Sequence, residues 1–159
     1  MGGVLIPALL CAALGLALAF QTKRMQWLSI AVLGAMACLV VWIDFPQDWM
    51  AAVFVAGWVS LIVTALSVLA PARLPAWLPL SLAANAGLWT GSLIAMTAQP
   101  SDLVLALPLV LIAFPARWVL NTPARLGVKI VAGWLVAVAI LGVGVSMLPT
   151  PGYKADHIE

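Results

Sequence analysis

The sequence predicts an all-α polytopic membrane protein, folded as a compact bundle of six transmembrane helices. Of its 159 residues, 65% are hydrophobic and only 8% are charged, whereas about 25% of the residues in a soluble domain are charged. The apolar residues form runs close to the ~20 residues that a helix needs to cross the hydrocarbon core. Short connectors between these runs and the C-terminal tail hold all but one of the charged residues. Lipid is therefore the expected solvent for most of this chain.

Six apolar runs qualify as spans or nearly do. They cover residues 4–20, 26–43, 49–70, 76–98, 103–120 and 130–148. The first run ends in small residues typical of a signal-peptide cleavage site, but Lys23 and Arg24 follow it rather than precede it, so we expect an uncleaved first helix. Residues 1–148 then form one transmembrane helical domain, and residues 149–159 form a polar C-terminal tail.

The fifth run contains Pro108 and Pro115. Each proline removes a backbone donor and can kink a helix. We therefore predict a fifth helix that is kinked or broken. Two forms stay open, a kinked but complete span and a re-entrant segment covered by protein.

The charged residues alternate between successive connectors. Basic residues occupy the first, third and fifth connectors or their edges: Lys23, Arg24, Arg73, Arg117, Arg125 and Lys129. Acidic residues occupy the second and fourth connectors and the tail: Asp44, Asp48, Asp102, Asp156 and Glu159. Because cytoplasmic loops are enriched in Lys and Arg, we predict a multi-pass protein of the bacterial inner (plasma) membrane with both termini on the periplasmic side.

A four-residue sequence occurs twice, at Val55–Trp58 and at Val131–Trp134. The copies fall in the third and sixth predicted helices, which run in opposite directions. This placement raises the hypothesis of a 3+3 inverted repeat, an arrangement found in many transporters. Chance recurrence in a chain rich in these residues is the alternative.

Small residues mark the faces on which helices pack in lipid. In the third helix such residues recur every four positions, and the fourth helix carries a Gly-x-x-x-Gly pair. The predicted packing residues are Ala52, Ala56, Gly87 and Gly91. We expect helices three and four to lie near the centre of the bundle.

Polar side chains concentrate in the fourth helix, around Asn85, the one amide side chain that we place inside the membrane. Two interpretations fit this pattern, a solute path through the bundle and a polar contact that joins two helices. The residues concerned are Ser60, Thr64, Ser81, Asn85, Trp89, Thr90 and Ser92.

Ionisable side chains are missing from the core of every predicted span. Because such groups mark proton relays and ion pathways, the sequence argues against a proton-coupled pump, a voltage sensor and an intramembrane protease. Cys11 and Cys38 lack the spacing of a metal site. We predict no catalytic, cofactor-binding or metal-binding residue, and no clustered basic surface for nucleic acid.

Three functional hypotheses follow. The first is a non-catalytic accessory, scaffold or assembly subunit of a larger inner-membrane complex, with lipid and other membrane subunits, or further copies of itself, as partners. The alternative is a small channel or facilitator for a neutral or weakly polar solute, along a path lined by helices three and four. The third is a lipid- or quinone-acting site at the outer surface, built from Asp44, Asp48, Asp102 and His157.

Overall fold

The computed structural model describes residues 5–69, 75, 77–97, 100–120, 122 and 125–147, and the regular elements of this part are all helical. The helices are α1 (Leu5–Leu18), α2 (Lys23–Val40), α3 (Met50–Leu69), α4 (Trp77–Thr97), α5 (Leu103–Ala106), α6 (Ala113–Leu120) and α7 (Arg125–Met147). A 3-10 helix, Leu107–Ile112, joins α5 to α6, and we call the continuous run Leu103–Leu120 the composite helix. The prediction of an all-α bundle is confirmed at this level.

Five helical segments in the described part are long and apolar enough to cross a membrane. They are Lys23–Val40, Met50–Leu69, Trp77–Thr97, Leu103–Leu120 and Leu126–Val145. The helix α1 has 14 residues and is about 21 Å long at ~1.5 Å per residue, whereas the hydrocarbon core is ~30 Å thick. Five of the six predicted spans are thus present as long apolar helices, and the first is a shorter one.

The helix α1 lies at the centre of the bundle. Ten of its 14 residues are buried, and the four less buried ones, Leu5, Ala8, Leu9 and Ala12, share one face. It packs mainly against α3, α4 and the composite helix. The prediction that helices three and four lie near the centre agrees with their burial, because α4 at 56% and α3 at 44% are the most buried of the candidate spans, and both contact α1. A helix with Leu, Ala, Cys and Gly on all sides has no polar face to present outward.

The composite helix changes its hydrogen-bonding pattern at the prolines. Pro108 is the second residue of the 3-10 segment, and Pro115 is the third residue of α6. The 3-10 segment contacts α1 closely, since a Cβ added to Gly15 would stand 2.7 Å from the carbonyl oxygen of Val110 and 2.6 Å from Cγ2 of Ile112. The kink predicted for this helix stays a prediction.

Packing contacts give the directions of the helices. Gly57 and Ser60 of α3 meet Leu93 and Asn85 of α4, respectively, so α3 and α4 are antiparallel. By contrast, α2 and α4 are parallel, because Gly87 lies against Leu33 to Ala37 and Gly91 against Ala37 to Val40. This order agrees with a chain that passes back and forth between two ends of the bundle.

The charged side chains of the described part collect at these two ends. Arg117 donates a hydrogen bond of 2.8 Å to the carbonyl oxygen of Gln21, which places the end of the composite helix beside the start of α2. We call this the basic end, and its residues include Lys23, Arg24 and Arg117. The acidic end is the opposite one, with Asp44, Asp48 and Asp102. The side of a membrane that each end faces stays a prediction.

Tryptophans surround the two ends of the bundle. Five of them lie close to helix ends and are between 58% and 79% exposed: Trp27, Trp42, Trp49, Trp77 and Trp118. Indole rings prefer the boundary between lipid and water. Their positions are therefore those of an aromatic belt at each boundary.

The two copies of the repeated sequence have different surroundings. Trp58 is 5% exposed, and its ring packs directly on Gly142 of α7. Trp134 of the second copy is 60% exposed. Within the described residues the two copies therefore differ in their packing. The inverted repeat stays a prediction.

Candidate functional site

Three of the predicted site residues form a polar contact between α3 and α4. Asn85 and Trp89 are one turn apart on α4, so their side chains share a face. The Asn85 amide nitrogen Nδ2 donates to the Ser60 hydroxyl of α3, and the Trp89 Nε1–H donates to Asn85 Oδ1 at 2.9 Å. Ser60 is only 4% exposed, while the other two are half-buried. The contact therefore ties two helices together inside the bundle.

The other predicted hydroxyls mostly bond to their own helices. Thr64 donates to the carbonyl of Ser60 at 2.8 Å, and Ser92 donates to that of Leu88 at 2.9 Å. Ser81 is exposed and bonds in the same way to Leu78 at 2.9 Å. A hydroxyl that already donates to a carbonyl one turn earlier has no hydrogen left for a solute.

Thr90 faces the central helix instead of the α3–α4 contact. Its hydroxyl is fully buried and lies 4.0 Å from the thiol sulfur of Cys11. Cys38 is exposed on α2, so Cys11 and Cys38 are not in contact. The seven predicted residues are thus distributed over several places, and only Ser60, Thr64, Asn85 and Trp89 lie together.

The glycine pair of α4 makes a close contact with a neighbouring helix. A Cβ added to Gly87 would stand 2.6 Å from the carbonyl oxygen of Leu33, and one on Gly91 would stand 2.8 Å from that of Ala37. The partner is therefore α2. On α3, Ala52 is exposed and Ala56 is half-buried, so the buried part of the predicted stripe begins at Ser60.

A second polar group, at the basic end, was not predicted from the sequence. Gln26 is fully buried in the first turns of α2, and its Nε2 donates to the carbonyl oxygen of Leu18 at 2.9 Å. Arg117 lies 3.5 Å from Gln26 Oε1 and donates to Gln21 O at 2.8 Å. The guanidinium therefore sits near the C-terminal end of α1, where a helix carries partial negative charge. In the sequence, this group is indicated only by Gln21 and Gln26, which lie on either side of Lys23-Arg24.

Three acidic residues of the third hypothesis, Asp44, Asp48 and Asp102, lie at the acidic end. Asp44 and Asp48 are exposed, and Asp102 is half-buried. Within the described part there is no group of three His, Cys, Asp or Glu side chains that could hold a metal ion. His157, like the whole tail 149–159, lies outside the described residues.

No protein-family model, curated protein or solved structure matches this chain. The function of this chain is therefore inferred from its own contacts.

We expect Asn85→Leu to lower the free energy of unfolding by roughly 0.6–1.7 kcal/mol, the range for hydrogen bonds between membrane helices. The substitution removes both the donor to Ser60 and the acceptor for Trp89. The measurement is a titration from dodecyl maltoside into sodium dodecyl sulfate, followed by circular dichroism. Ser81→Ala is the control, since that exposed hydroxyl bonds only within its own helix. Unchanged stability in Asn85→Leu would favour the solute-path interpretation instead.

Proposed function

We propose that this chain is a non-catalytic membrane subunit that assembles with another membrane protein through the outer face of α7. The observation that carries the proposal is a contrast among its glycines. A Cβ added to Gly15, Gly57, Gly87, Gly91 or Gly142 would stand within 3 Å of a neighbouring atom. At Gly127, Gly133 and Gly144, all on α7, a Cβ would meet nothing within 4 Å.

Two of the three open glycines of α7, Gly133 and Gly144, form part of one face. Gly133 and Ala137 are one turn apart, and Gly144 follows two turns after Ala137, which puts all three within roughly 40° around the axis. Ala137 and Gly144 are exposed, and Gly133 is half-buried. Glycine lowers the stability of a helix by ~1 kcal/mol relative to alanine. At Gly133 and Gly144 no close contact within the single chain offsets this loss. A close approach by another helix would use this space, since small residues are what membrane helices pack on.

The position of α7 supports the same proposal. Its candidate span, Leu126–Val145, is 22% buried, less than the other spans. It packs mainly on α3, which leaves most of its circumference for contacts outside the chain. Accordingly, we propose that α7 is the helix through which the subunit joins a larger assembly of the inner membrane, with the basic end in the cytoplasm.

The facilitator hypothesis finds less support in the contacts. A path for a polar solute needs donors and acceptors that are free to exchange partners. Asn85 instead bonds to Ser60 and Trp89, and Thr64 bonds to the backbone of its own helix. The centre of the bundle is filled by α1. These contacts are those of a packed scaffold.

The double variant Gly133→Leu/Gly144→Leu is expected to lose the assembly while keeping the fold. The full chain would be extracted in a mild detergent from its own membrane, and its mass compared with that of the 16.7 kDa chain. Wild type should run as a larger complex and the double variant as the single chain, with equal melting temperatures. Crosslinking of two differently tagged copies separates self-association from a foreign partner.

Gly127→Leu is the matched control for this experiment. Gly127 is also an open glycine of α7, but it lies six residues from Gly133 and hence about 120° around the helix. It should leave the complex intact. A wild-type chain that runs alone, or a double variant that keeps the complex, contradicts the proposal.

A further inference from the structure

We infer that a groove between α2 and the composite helix binds one acyl chain of an anionic phospholipid, whose headgroup lies at the basic end. The groove has a volume of about 380 Å³, within the ~300–1,000 Å³ typical of ligand pockets. On one side it is lined by Ile30, Leu33 and Gly34, and on the other by Leu107, Pro108 and Leu111.

The shape of the groove follows from Gly34 and the neighbouring helices. Gly34 is half-buried, and a Cβ added there would meet nothing within 4 Å, so the missing side chain leaves open space. Leu33 and Val110 are at most 2% exposed and form the floor. Leu111 of the composite helix is 44% exposed, so the groove opens outward, toward lipid in a membrane.

The chemistry of the lining selects an apolar chain. Every residue that lines the groove is apolar, so a polar ring or a quinone headgroup would lose its hydrogen bonds there. A flexible acyl chain has no polar group that would need a hydrogen-bond partner there, so it fits this lining.

The charges at the two ends orient the lipid. Lys23 and Arg24 are exposed in the first turn of α2, and the carboxylates of the described part are all at the acidic end. Arg117 is turned onto Gln21, which leaves Lys23 and Arg24 to meet a phosphate. An anionic headgroup is thus attracted to the basic end and repelled from the other.

The distances along α2 fit a lipid held in this way. Ile30 and Gly34 lie 7 and 11 residues after Lys23, or about 10 and 16 Å along the axis at ~1.5 Å per residue. One leaflet contributes about half of the ~30 Å core, so Ile30 and Gly34 lie at the depth of the distal half of an acyl chain that enters from the basic end. Between the groove and the basic end, the rings of Trp27 and Phe114 are in contact, with centroids 5.3 Å apart. Indole at this level is typical of the headgroup boundary.

The test is native mass spectrometry of the full chain in a neutral detergent, titrated with dioleoylphosphatidylglycerol or dioleoylphosphatidylcholine. Wild type should retain one phosphatidylglycerol and prefer it over phosphatidylcholine. Gly34→Leu, which fills the groove from α2, should lose this adduct. Leu111→Trp fills the same groove from the composite helix and should lose it as well. Circular dichroism verifies that each variant is folded.

Two further variants separate the parts of the proposal. Lys23→Gln/Arg24→Gln should retain lipid but lose the preference by roughly 25-fold, at about fivefold for each basic residue near an anionic headgroup. Gly127→Leu, an open glycine outside the groove, should bind as wild type does. Retention of the adduct by folded Gly34→Leu and Leu111→Trp overturns the groove. Equal binding of both lipids by wild type overturns the headgroup assignment.

This inference is independent of the assembly proposed for α7. Gly34→Leu should leave the complex intact, and Gly133→Leu/Gly144→Leu should leave lipid binding intact. Loss of both properties in either variant would contradict the separation of the two surfaces.

Discussion

Gly87→Ala is expected to lower the free energy of unfolding by about 1–3 kcal/mol, the usual cost of an extra carbon in a filled interior. The added Cβ would stand 2.6 Å from the carbonyl oxygen of Leu33, 2.8 Å from Cβ of Met36 and 3.3 Å from the backbone nitrogen of Ala37. Two of these three atoms belong to the backbone of α2, so no side-chain rotation relieves the contact. The two helices have to move apart.

The matched control is Gly34→Ala on the facing helix. It adds the same atom at a helical glycine, but in open space, so it gains up to ~1 kcal/mol from helix propensity without a clash. Unfolding of both variants would be measured by circular dichroism during the same detergent titration. Opposite signs are expected for the two changes. Equal effects would show that the α2–α4 contact does not limit stability.

A larger residue extends this prediction. Gly91→Leu places a whole side chain where a Cβ alone would already stand 2.8 Å from the carbonyl oxygen of Ala37 and 2.9 Å from Cβ of Val40. We expect this variant to lose the packing of α2 on α4. An increase in protease cleavage at the α1–α2 connector would report that loss.

The sequence predicts the helices well because its composition changes sharply from apolar to charged residues at the boundary between lipid and water. Connectors with Lys23-Arg24 or Asp44 and Asp48 stop each apolar run, and the observed α2 and α3 begin or end within a few residues of the predicted bounds. The Gly87–Gly91 pair likewise predicts a close contact without naming its partner. In lipid, small residues are the main guide to helix packing.

The position of α1 could not be predicted in the same way. In water, a central helix is recognised because it is more apolar than its neighbours. In a membrane both the lipid and the interior of the bundle are apolar, so Leu10 and Leu14, both fully buried, look no different from exposed Leu39. The absence of Trp and of strongly polar side chains from Leu5–Leu18, together with the short length of this helix, is the remaining signal for a helix that is mostly buried by its neighbours.

The groove also depends on information that a sequence lacks. Gly34 and Gly87 are both glycines in helices, yet one faces open space and the other faces a backbone. Only the relative placement of α2, α4 and the composite helix separates the two cases. The same holds for Gln26, which lies close enough to the predicted boundary to be either in the headgroups or inside the bundle.

We expect Gln26→Leu to lower the free energy of unfolding by about 0.5–1.5 kcal/mol, the usual net contribution of one intramolecular hydrogen bond. The leucine keeps the buried volume but removes the donor to the carbonyl oxygen of Leu18. That carbonyl belongs to the last turn of α1 and also accepts from the backbone N–H of Gln21 at 2.9 Å, so it keeps one partner in the variant. The substitution also removes the acceptor that faces Arg117.

Arg117→Met should destabilise the bundle through the same group. It deletes the hydrogen bond to Gln21 O and the positive charge beside the C-terminal end of α1, whose effect is typically ~0.3–1 kcal/mol. Lys129→Met is the matched control, because it removes an exposed cation from the start of α7. A double-mutant cycle between Gln26→Leu and Arg117→Met isolates the coupling, which for residues sharing one network is about 0.5–3 kcal/mol. Additive effects of the two substitutions would mean that Gln26 and Arg117 act separately. An equal loss of stability in Lys129→Met would mean that Arg117 acts only as one more cation at the basic end, and not through its hydrogen bonds.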